Sequence, residues 1–227
     1  VIRKRSVGNL VLEKILFQRK VEYIEIESFL KTFLIPTWVN CWMRTTDLFK
    51  KIKLSLNFKD PIHIKVEGSQ WRMGSSSIHF MDLFAYFTEC NDIKFTDIQL
   101  SSKLIDSKHK GFKEFLGQMM GQNSRGDTLS LSCSGAEGEP PTVVIINGPD
   151  KYKITRLTGE VDFESSNDLS NRIGKANLPY QSQLTHIWVK HILESGSCDL
   201  PTYYESMAPH LELLRVFTEH LKTITGK

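Results

Sequence analysis

What this chain lacks narrows it first. No apolar run approaches the roughly 18 residues a membrane-crossing helix requires, and the amino end has no charged head followed by an apolar core and a small-residue cleavage site. A protein of the cytoplasm, without a membrane partner, is therefore expected. Cysteine is scarce: the four, Cys41, Cys90, Cys133 and Cys198, lie far apart, with no CxxC pair and no histidines at metal-ligand spacing. That argues for reduced thiols and no metal. Charge of one sign is also missing. Twenty-nine basic residues face 26 acidic ones, for a formal charge of +3, too even a balance for nucleic acid to be the partner. The cluster 3-RKR-5 reads as a solvated helix end. Finally, GxGxxG, GxxxxGK[ST], HExxH and GxSxG are all absent, so no single motif names a chemistry.

What is present describes an ordinary globular chain. It has 227 residues, 40% of them hydrophobic and 24% charged, enough for one main domain and a smaller appendage. The run 9-NLVLEKILF-17 opens as a short buried strand of the parallel kind and ends abruptly in Glu13-Lys14. Residues 19–33 follow as a helix, with Val21, Ile24, Phe29 and Phe33 at loose helical spacing. Residues 35–44 are rich in β-formers and give a second strand. Strand, helix and strand together require a parallel pair.

Beyond residue 45 the texture changes. A helix is predicted over 45–56, and 61-PIHIKVEG-68 alternates as a half-buried strand does. A helix runs from about Ser75 to Phe87. From 93 to 164 the chain reads as a strand series (93–102, 127–133, 142–148, 151–157 and 159–163) joined by Gly, Pro, Asn and Asp turns, with a helix near 111-GFKEFLGQMM-120. Two helices close the chain, over 179–196 and 206–224.

Two places carry candidate chemistry. Glu13 and Lys14 stand at the carboxyl end of a parallel strand, where cofactors and substrates dock in open α/β sheets; a charged pair there commonly does no more than reach solvent. In 71-WRMGSSSIHFMDLFAYF-87, the stripe Phe80, Leu83, Phe84 and Phe87 must face a core. Ser75, His79, Asp82 and Tyr86 share another side of the same helix. A structural histidine explains that face equally well. With a helix start near Ser75 or Ser76, His79 falls in the first turn, where the helix dipole keeps the ring neutral, while Asp82 would orient the ring or brace the helix. His186 and His191 do not share a helix face, and Trp38, Trp42, Trp71 and Trp188 read as core.

Taken in order, these stretches resemble the Gfo/Idh/MocA oxidoreductases, the group of glucose-fructose oxidoreductase and inositol dehydrogenase. The run 9-NLVLEKILF-17 is similar to that family's "V-L-x-E-K-P" strand, Asn40 and Arg44 approximate its Asn-x-x-Arg pattern, and 67-EGSQWRMGSSSIHFMDL-83 resembles its "G-G…D-x-x-x-H-x-x-D" helix. The closing helices 180–206 are also similar, so the resemblance covers essentially the whole chain.

The resemblance implies an α+β fold: the carboxyl-terminal tail of a Rossmann-like domain over 1–45, then over 46–227 a mostly antiparallel or mixed β-sheet domain with helices packed on one face. It implies an NAD(P)-dependent sugar or polyol oxidoreductase acting on a sugar or nucleotide-sugar-like substrate. Lys14 and His79 would be catalytic, Glu13 and Lys14 cofactor-binding, and Asn40, Arg44, Trp71, Ser75 and Asp82 substrate-binding or supporting. A homo-oligomer through the open sheet face is implied as well. Three departures stand out. Ile15 replaces the family proline, Ser75 replaces an aspartate four residues before His79, and the glycine-rich phosphate turn falls upstream of Val1, so the chain as given is expected to bind dinucleotide poorly. The alternative is a non-enzymatic member that kept the fold as a binding or regulatory module. An unrelated α+β protein would instead hold Lys14 and His79 far apart.

Overall fold

The computed structural model describes residues 7–108, 110–136, 140–155, 159–165 and 173–226, with the backbone alone for 159–165 and 173–177; the cluster 3-RKR-5 lies outside the described residues. The chain begins with β1 (Leu10–Leu12), α1 (Lys20–Thr32) and β2 (Thr37–Val39). The two strands pair in parallel, Val11 opposite Trp38, as the strand, helix, strand reading requires. The second strand is shorter than expected over 35–44. After Val39 the chain tightens into a 3₁₀ turn, Trp42–Thr45, because Trp42, Met43 and Arg44 are all buried and a strand would turn alternate side chains to opposite faces.

Then come α2 (Asp47–Ser55), β3 (Ile62–Ser69), α3 (Met73–Thr88) and the strands β4 (Lys94–Leu100), β5 (Ile105–Asp106), β6 (Lys113–Glu114), β7 (Gly117–Gln122), β8 (Thr128–Ser134), β9 (Thr142–Asn147), β10 (Asp150–Thr155), β11 (Gly159–Ser165) and β12 (Ile173–Leu178). Helices α4 (Thr185–Ser195) and α5 (Tyr203–Thr225) end the chain. Eight strands form one sheet in the order β12-β11-β10-β9-β3-β8-β7-β4, and β5 pairs with β6 in a separate hairpin. Neighbours run antiparallel except β3 and β8, which are parallel with Val66 opposite Leu131. The fold is α+β, with a mixed, mostly antiparallel sheet and helices packed on one face.

Strict alternation decides which face that is. Ile62, Ile64, Val66, Leu129, Leu131, Val143, Ile145 and Ile154 are all buried. Those of β3 and β8 lie under α3, whose Phe80, Leu83, Phe84 and Phe87 are equally buried. Helix α5 lies against α3, its first turn closed by Thr202, whose Oγ1 accepts from the Glu205 N–H at 3.2 Å while its own N–H donates to Glu205 Oε2 at 2.7 Å. The same helix ties down the first elements: Tyr203 Oη donates to the Tyr23 carbonyl at 2.8 Å, and the Val39 N–H donates to the Pro201 carbonyl at 2.9 Å.

Two expectations are corrected. The segment 111–120 is not a helix. Over Gly117–Gln122, Met119 is buried and Met120 exposed, the period of a strand. Of the apolar content that suggested a helix, Met119 is sheet core while Phe112 and Met120 are exposed, and the two glycines of β7 let the neighbouring strand approach: a Cβ on Gly121 would lie 2.5 Å from the Lys94 carbonyl oxygen, and Gly117 has φ +117°. Nor does the expected stripe of α1 face inward. Val21, Ile24 and Phe33 are exposed, while Tyr23 and Leu30 are buried, because Tyr23 is drawn in by exchanging hydrogen bonds with the Phe17 backbone at 3.1 and 3.2 Å.

The strand assignment of β7 is testable. Gly121→Ala should lower the denaturation midpoint by an amount equivalent to about 1–3 kcal/mol of overpacking, whereas Met120→Lys on the outer face should change it little. Equal midpoints for parent and Gly121→Ala would contradict the close approach of β4.

Candidate functional site

The site is assembled where the carboxyl ends of β1 and β2 meet the start of α3. Lys14 leaves β1 and donates through Nζ to the Ser75 carbonyl at 2.7 Å. Ser75 lies one turn before His79 on the same side of the helix, so Lys14 and His79 are brought near one another, and the Lys14 charge acts on the ring. The Lys14–Ile15 peptide is cis, at the position that the resemblance gives to proline. Beside Lys14, Glu13 accepts from Asn40 Nδ2 at 2.7 Å through Oε1 and from Gln181 Nε2 at 3.2 Å through Oε2. Asn40 is thus a brace across the parallel pair.

His79 is buried, and its ring packs edge-on to Trp42 with centroids 6.3 Å apart. Its neutral state does not come from the helix dipole. The helix starts at Met73, which puts His79 in the second turn. Burial does the work, helped by the positive charge of Lys14 and by His210, and lowers the ring's pKa from 6.5 to about 3. Among the described residues Nδ1, sealed from solvent, has no hydrogen-bond partner. His210, also buried, turns Nδ1 to the Ser206 carbonyl at 2.8 Å, and its Nε2 is sealed and unpartnered, as are Ser206 Oγ and Asn40 Oδ1. Burial holds this second ring neutral too, with its pKa at about 4.

Asp82 does not orient His79. It faces Arg44 in a buried two-pronged pair, with Arg44 Nε donating to Oδ2 at 2.9 Å and Nη2 lying 2.8 Å from Oδ1. Burial pushes the Asp82 carboxyl up to about 7, against the pull of Arg44. Arg44 also reaches Glu205 at 3.6 Å and covers the Tyr86 ring at 5.2 Å. Its role here is to lock the 3₁₀ turn to α3 and α5. Trp71 is core: its Nε1 donates to the Ser132 carbonyl at 2.7 Å and its ring meets Phe80 edge-on at 5.3 Å.

Ser75 carries no carboxylate, but one stands against it. Glu114, buried on β6, accepts from Ser75 Oγ at 2.7 Å and from the Ser75 N–H at 3.1 Å. Burial pulls the Lys14 ammonium below its ordinary range, while Cys41 and the carboxylates of Glu114 and Glu13 oppose this and Arg72 adds to it. Sequence reasoning did not find Glu114 or His210: one lay in a segment read as helix, the other is a lone histidine in an amphipathic helix. Among the described residues no group of three or more His, Cys, Asp or Glu side chains is placed to hold a metal, and no helix is long and apolar enough to cross a membrane.

Two measurements probe this geometry. Removing one partner of the buried ion pair, as in Arg44→Met, should destabilise the chain by about 3–5 kcal/mol, and adding Asp82→Leu should recover most of it; equal losses in the single and double variants would deny the pairing. The histidines set an acid dependence. Their folded values lie below the 6.5 of a free ring, so from roughly pH 6 down to 4 the unfolded chain binds protons there that the folded chain does not. Stability is then lost as pH falls, while Asp82, shifted upward, acts in the opposite sense. His79→Gln should flatten the acid dependence of the unfolding free energy by about 1.4 kcal/mol per pH unit. A slope equal to the parent's would show that His79 is not held neutral.

No protein-family model matches the chain, and no curated protein does. Solved structures do. An oxidoreductase from Agrobacterium radiobacter, in complex with NAD+, L-tartaric acid and magnesium, superposes with a TM-score of 0.67 at 11% identity over 94% of this chain and 71% of its own. UDP-N-acetylglucosamine 3-dehydrogenase GnnA from Acidithiobacillus ferrooxidans gives 0.63 at 9% identity, covering 91% of this chain and 68% of its own. A super-repressor mutant of Gal80p from Saccharomyces cerevisiae gives 0.66 at 11% identity, over 96% and 71%. With β1 and β2 parallel, Lys14 set against the helix of His79, and a mixed eight-stranded sheet behind them, this chain has the fold of the Gfo/Idh/MocA-type oxidoreductases.

Proposed function

We propose that this chain is the substrate-facing part of an NAD(P)-dependent oxidoreductase that acts on a hydroxyl-bearing carbon of a sugar, a polyol or a nucleotide sugar. The observation that carries this reading is the meeting of Lys14 with the first turn of the helix bearing His79, through a 2.7 Å hydrogen bond to the Ser75 carbonyl. An ammonium and a neutral imidazole side by side are the donor and acceptor that alcohol oxidation needs. The part-buried Lys14, with Glu13 and Asn40 at the ends of the parallel pair, fits the nicotinamide end of a dinucleotide; the chain has no glycine-rich turn for the phosphates. When bound, nicotinamide supplies a two-electron hydride acceptor.

The chain's own residues do the rest. Lys14 donates to the substrate oxygen and stabilises the negative charge that grows there as the O–H bond breaks. His79 Nε2 accepts that proton. Burial keeps the ring unprotonated, so its lone pair is free to accept. Arg44 and Asp82 keep the 3₁₀ turn fixed against α3, and Trp42 shields one side of the imidazole. Residues 1–45 are assigned to the nucleotide-binding half and 46–227 to the substrate domain. A second copy would pack on the sheet face turned away from the helices, where Met120 and Ile146 are exposed.

A second reading, a binding or regulatory module without turnover, is favoured by one observation, the serine at position 75. The similarity in fold to Gal80p, solved as a super-repressor mutant, supports it.

The protein as encoded by its whole gene, mixed with NAD+ or NADP+ and a panel of polyols and UDP-sugars, should generate reduced nicotinamide absorbance. His79→Ala should lower turnover by roughly 10²–10⁴-fold with cofactor binding, read by fluorescence, unchanged. Undiminished turnover would remove His79 from the mechanism, and a parent protein that binds no dinucleotide would decide for the regulatory reading.

A further inference from the structure

We propose that Glu114 supplies this site's carboxylate: reaching in from β6, it holds Ser75 by two hydrogen bonds and, through the Ser75 carbonyl, positions the Lys14 ammonium, in place of an acidic side chain on the helix itself. The proposal rests on the reading of Lys14 as a site residue and deepens it.

The contacts form a short chain across three elements. Lys14 Nζ donates to the Ser75 carbonyl at 2.7 Å, and Ser75 in turn donates to Glu114 twice, from Oγ at 2.7 Å and from its N–H at 3.1 Å. Ser107 Oγ adds a longer bond at 3.4 Å. The carboxylate is only 2% exposed and, among the described residues, has no lysine or arginine within ion-pairing distance. A charge so deeply buried needs compensation. Lys14 lies on the other side of one residue, and the Ser75 N–H, in the first turn of α3, donates to the carboxylate directly.

The backbone makes room for this carboxylate. Gly74, buried beside Ser75, would with any Cβ come within 2.8 Å of Glu114 Oε2 and 3.2 Å of the Phe115 ring. An alanine there would push Glu114 away from the helix. Capping alone does not account for the arrangement. The residue before the helix, Arg72, contributes no side-chain cap, and a serine or asparagine on β6 would satisfy the same N–H. What a carboxylate adds is negative charge beside Lys14. The resemblance puts an aspartate at position 75; here the serine keeps that position small and a strand 39 residues later in sequence brings the acid.

The charged and titratable groups facing Lys14 are Glu13 from its own strand end, Cys41 from the end of β2, Arg72 and His79 from α3 and the turn before it, Glu114 from β6, and His210 from α5. Of these, Glu114 acts on Lys14 more strongly than Glu13 does, and burial holds the Cys41 thiol neutral. Glu114 is therefore the acid that answers Lys14 from the substrate-domain side.

The test exchanges the charge between the two positions in the full-length protein. Glu114→Gln keeps an acceptor of nearly the same shape, so it leaves the helix cap in place and removes the charge. It should lower kcat/KM by about tenfold or more and shift the titration of Lys14, followed by NMR of the side-chain amine, toward lower pH. Ser75→Asp should also lose activity, since two carboxylates would then be forced together. The double variant, Ser75→Asp with Glu114→Gln, should regain turnover and restore the Lys14 titration. A Lys14 titration unmoved by Glu114→Gln, or a double variant worse than both singles, would overturn the proposal. Failure of the underlying reading shows separately: Lys14→Met with parental turnover would remove Lys14 from the mechanism, yet the NMR titration would still report whether Glu114 holds its charge.

Discussion

Helix α3 is buried between the sheet and α5 on almost every side, and the site follows from how that burial is satisfied. Phe80, Leu83, Phe84 and Phe87 dock on the β3 and β8 side of the sheet, each large aromatic or aliphatic group contributing about 1.5–3 kcal/mol by leaving water. The polar residues interleaved with them, Ser75, His79 and Asp82, are carried into the interior by the same docking. Each then needs a partner or must remain neutral. Asp82 takes Arg44, Ser75 takes Glu114, and His79 takes none and stays unprotonated.

This division explains why one helix face carries two kinds of residue. The Arg44–Asp82 pair is a lock: its hydrogen bonds are fully made inside the fold, and it joins the 3₁₀ turn to α3 and, through Glu205, to α5. His79 and Lys14 hold unused capacity. Nε2 of the imidazole and the remaining donors of the ammonium are the groups a ligand can engage. Among the described residues, four polar atoms sealed without partners, on Asn40, His79, Ser206 and His210, gather around the same junction of β2, α3 and α5. Unsatisfied buried groups are destabilising, and their concentration beside Lys14 is what distinguishes this junction from the rest of the core.

Much of this was legible in the chain. The apolar run ending in Glu13-Lys14, the helix after it and the alternation of Ile62, Ile64 and Val66 each follow from local spacing, and each stands in the structure. The aromatic stripe of α3 was visible for the same reason. The segment around Met119 and Met120 was not, since five apolar residues and two glycines in ten satisfy a helical period as readily as an alternating one. Only the neighbouring strand, approaching Gly117 and Gly121 too closely for any side chain, settles it. The inward face of α1 was misread likewise, because Val21, Ile24 and Phe33 outweigh Tyr23 by hydrophobicity but stand about half exposed here, Phe33 against the Phe29 ring.

The sequence by itself determined most of the elements, the docking face of α3 and the candidacy of Lys14 and His79, because these depend on residue type and on spacings of two to four positions. Tertiary structure decided the pairings. Arg44 meets Asp82 across 38 residues, Glu114 meets Ser75 across 39, and Lys14 meets Ser75 across 61. No local pattern encodes which acid answers which base at such separations, since that is set by where the sheet and α5 leave room once the apolar surface is buried.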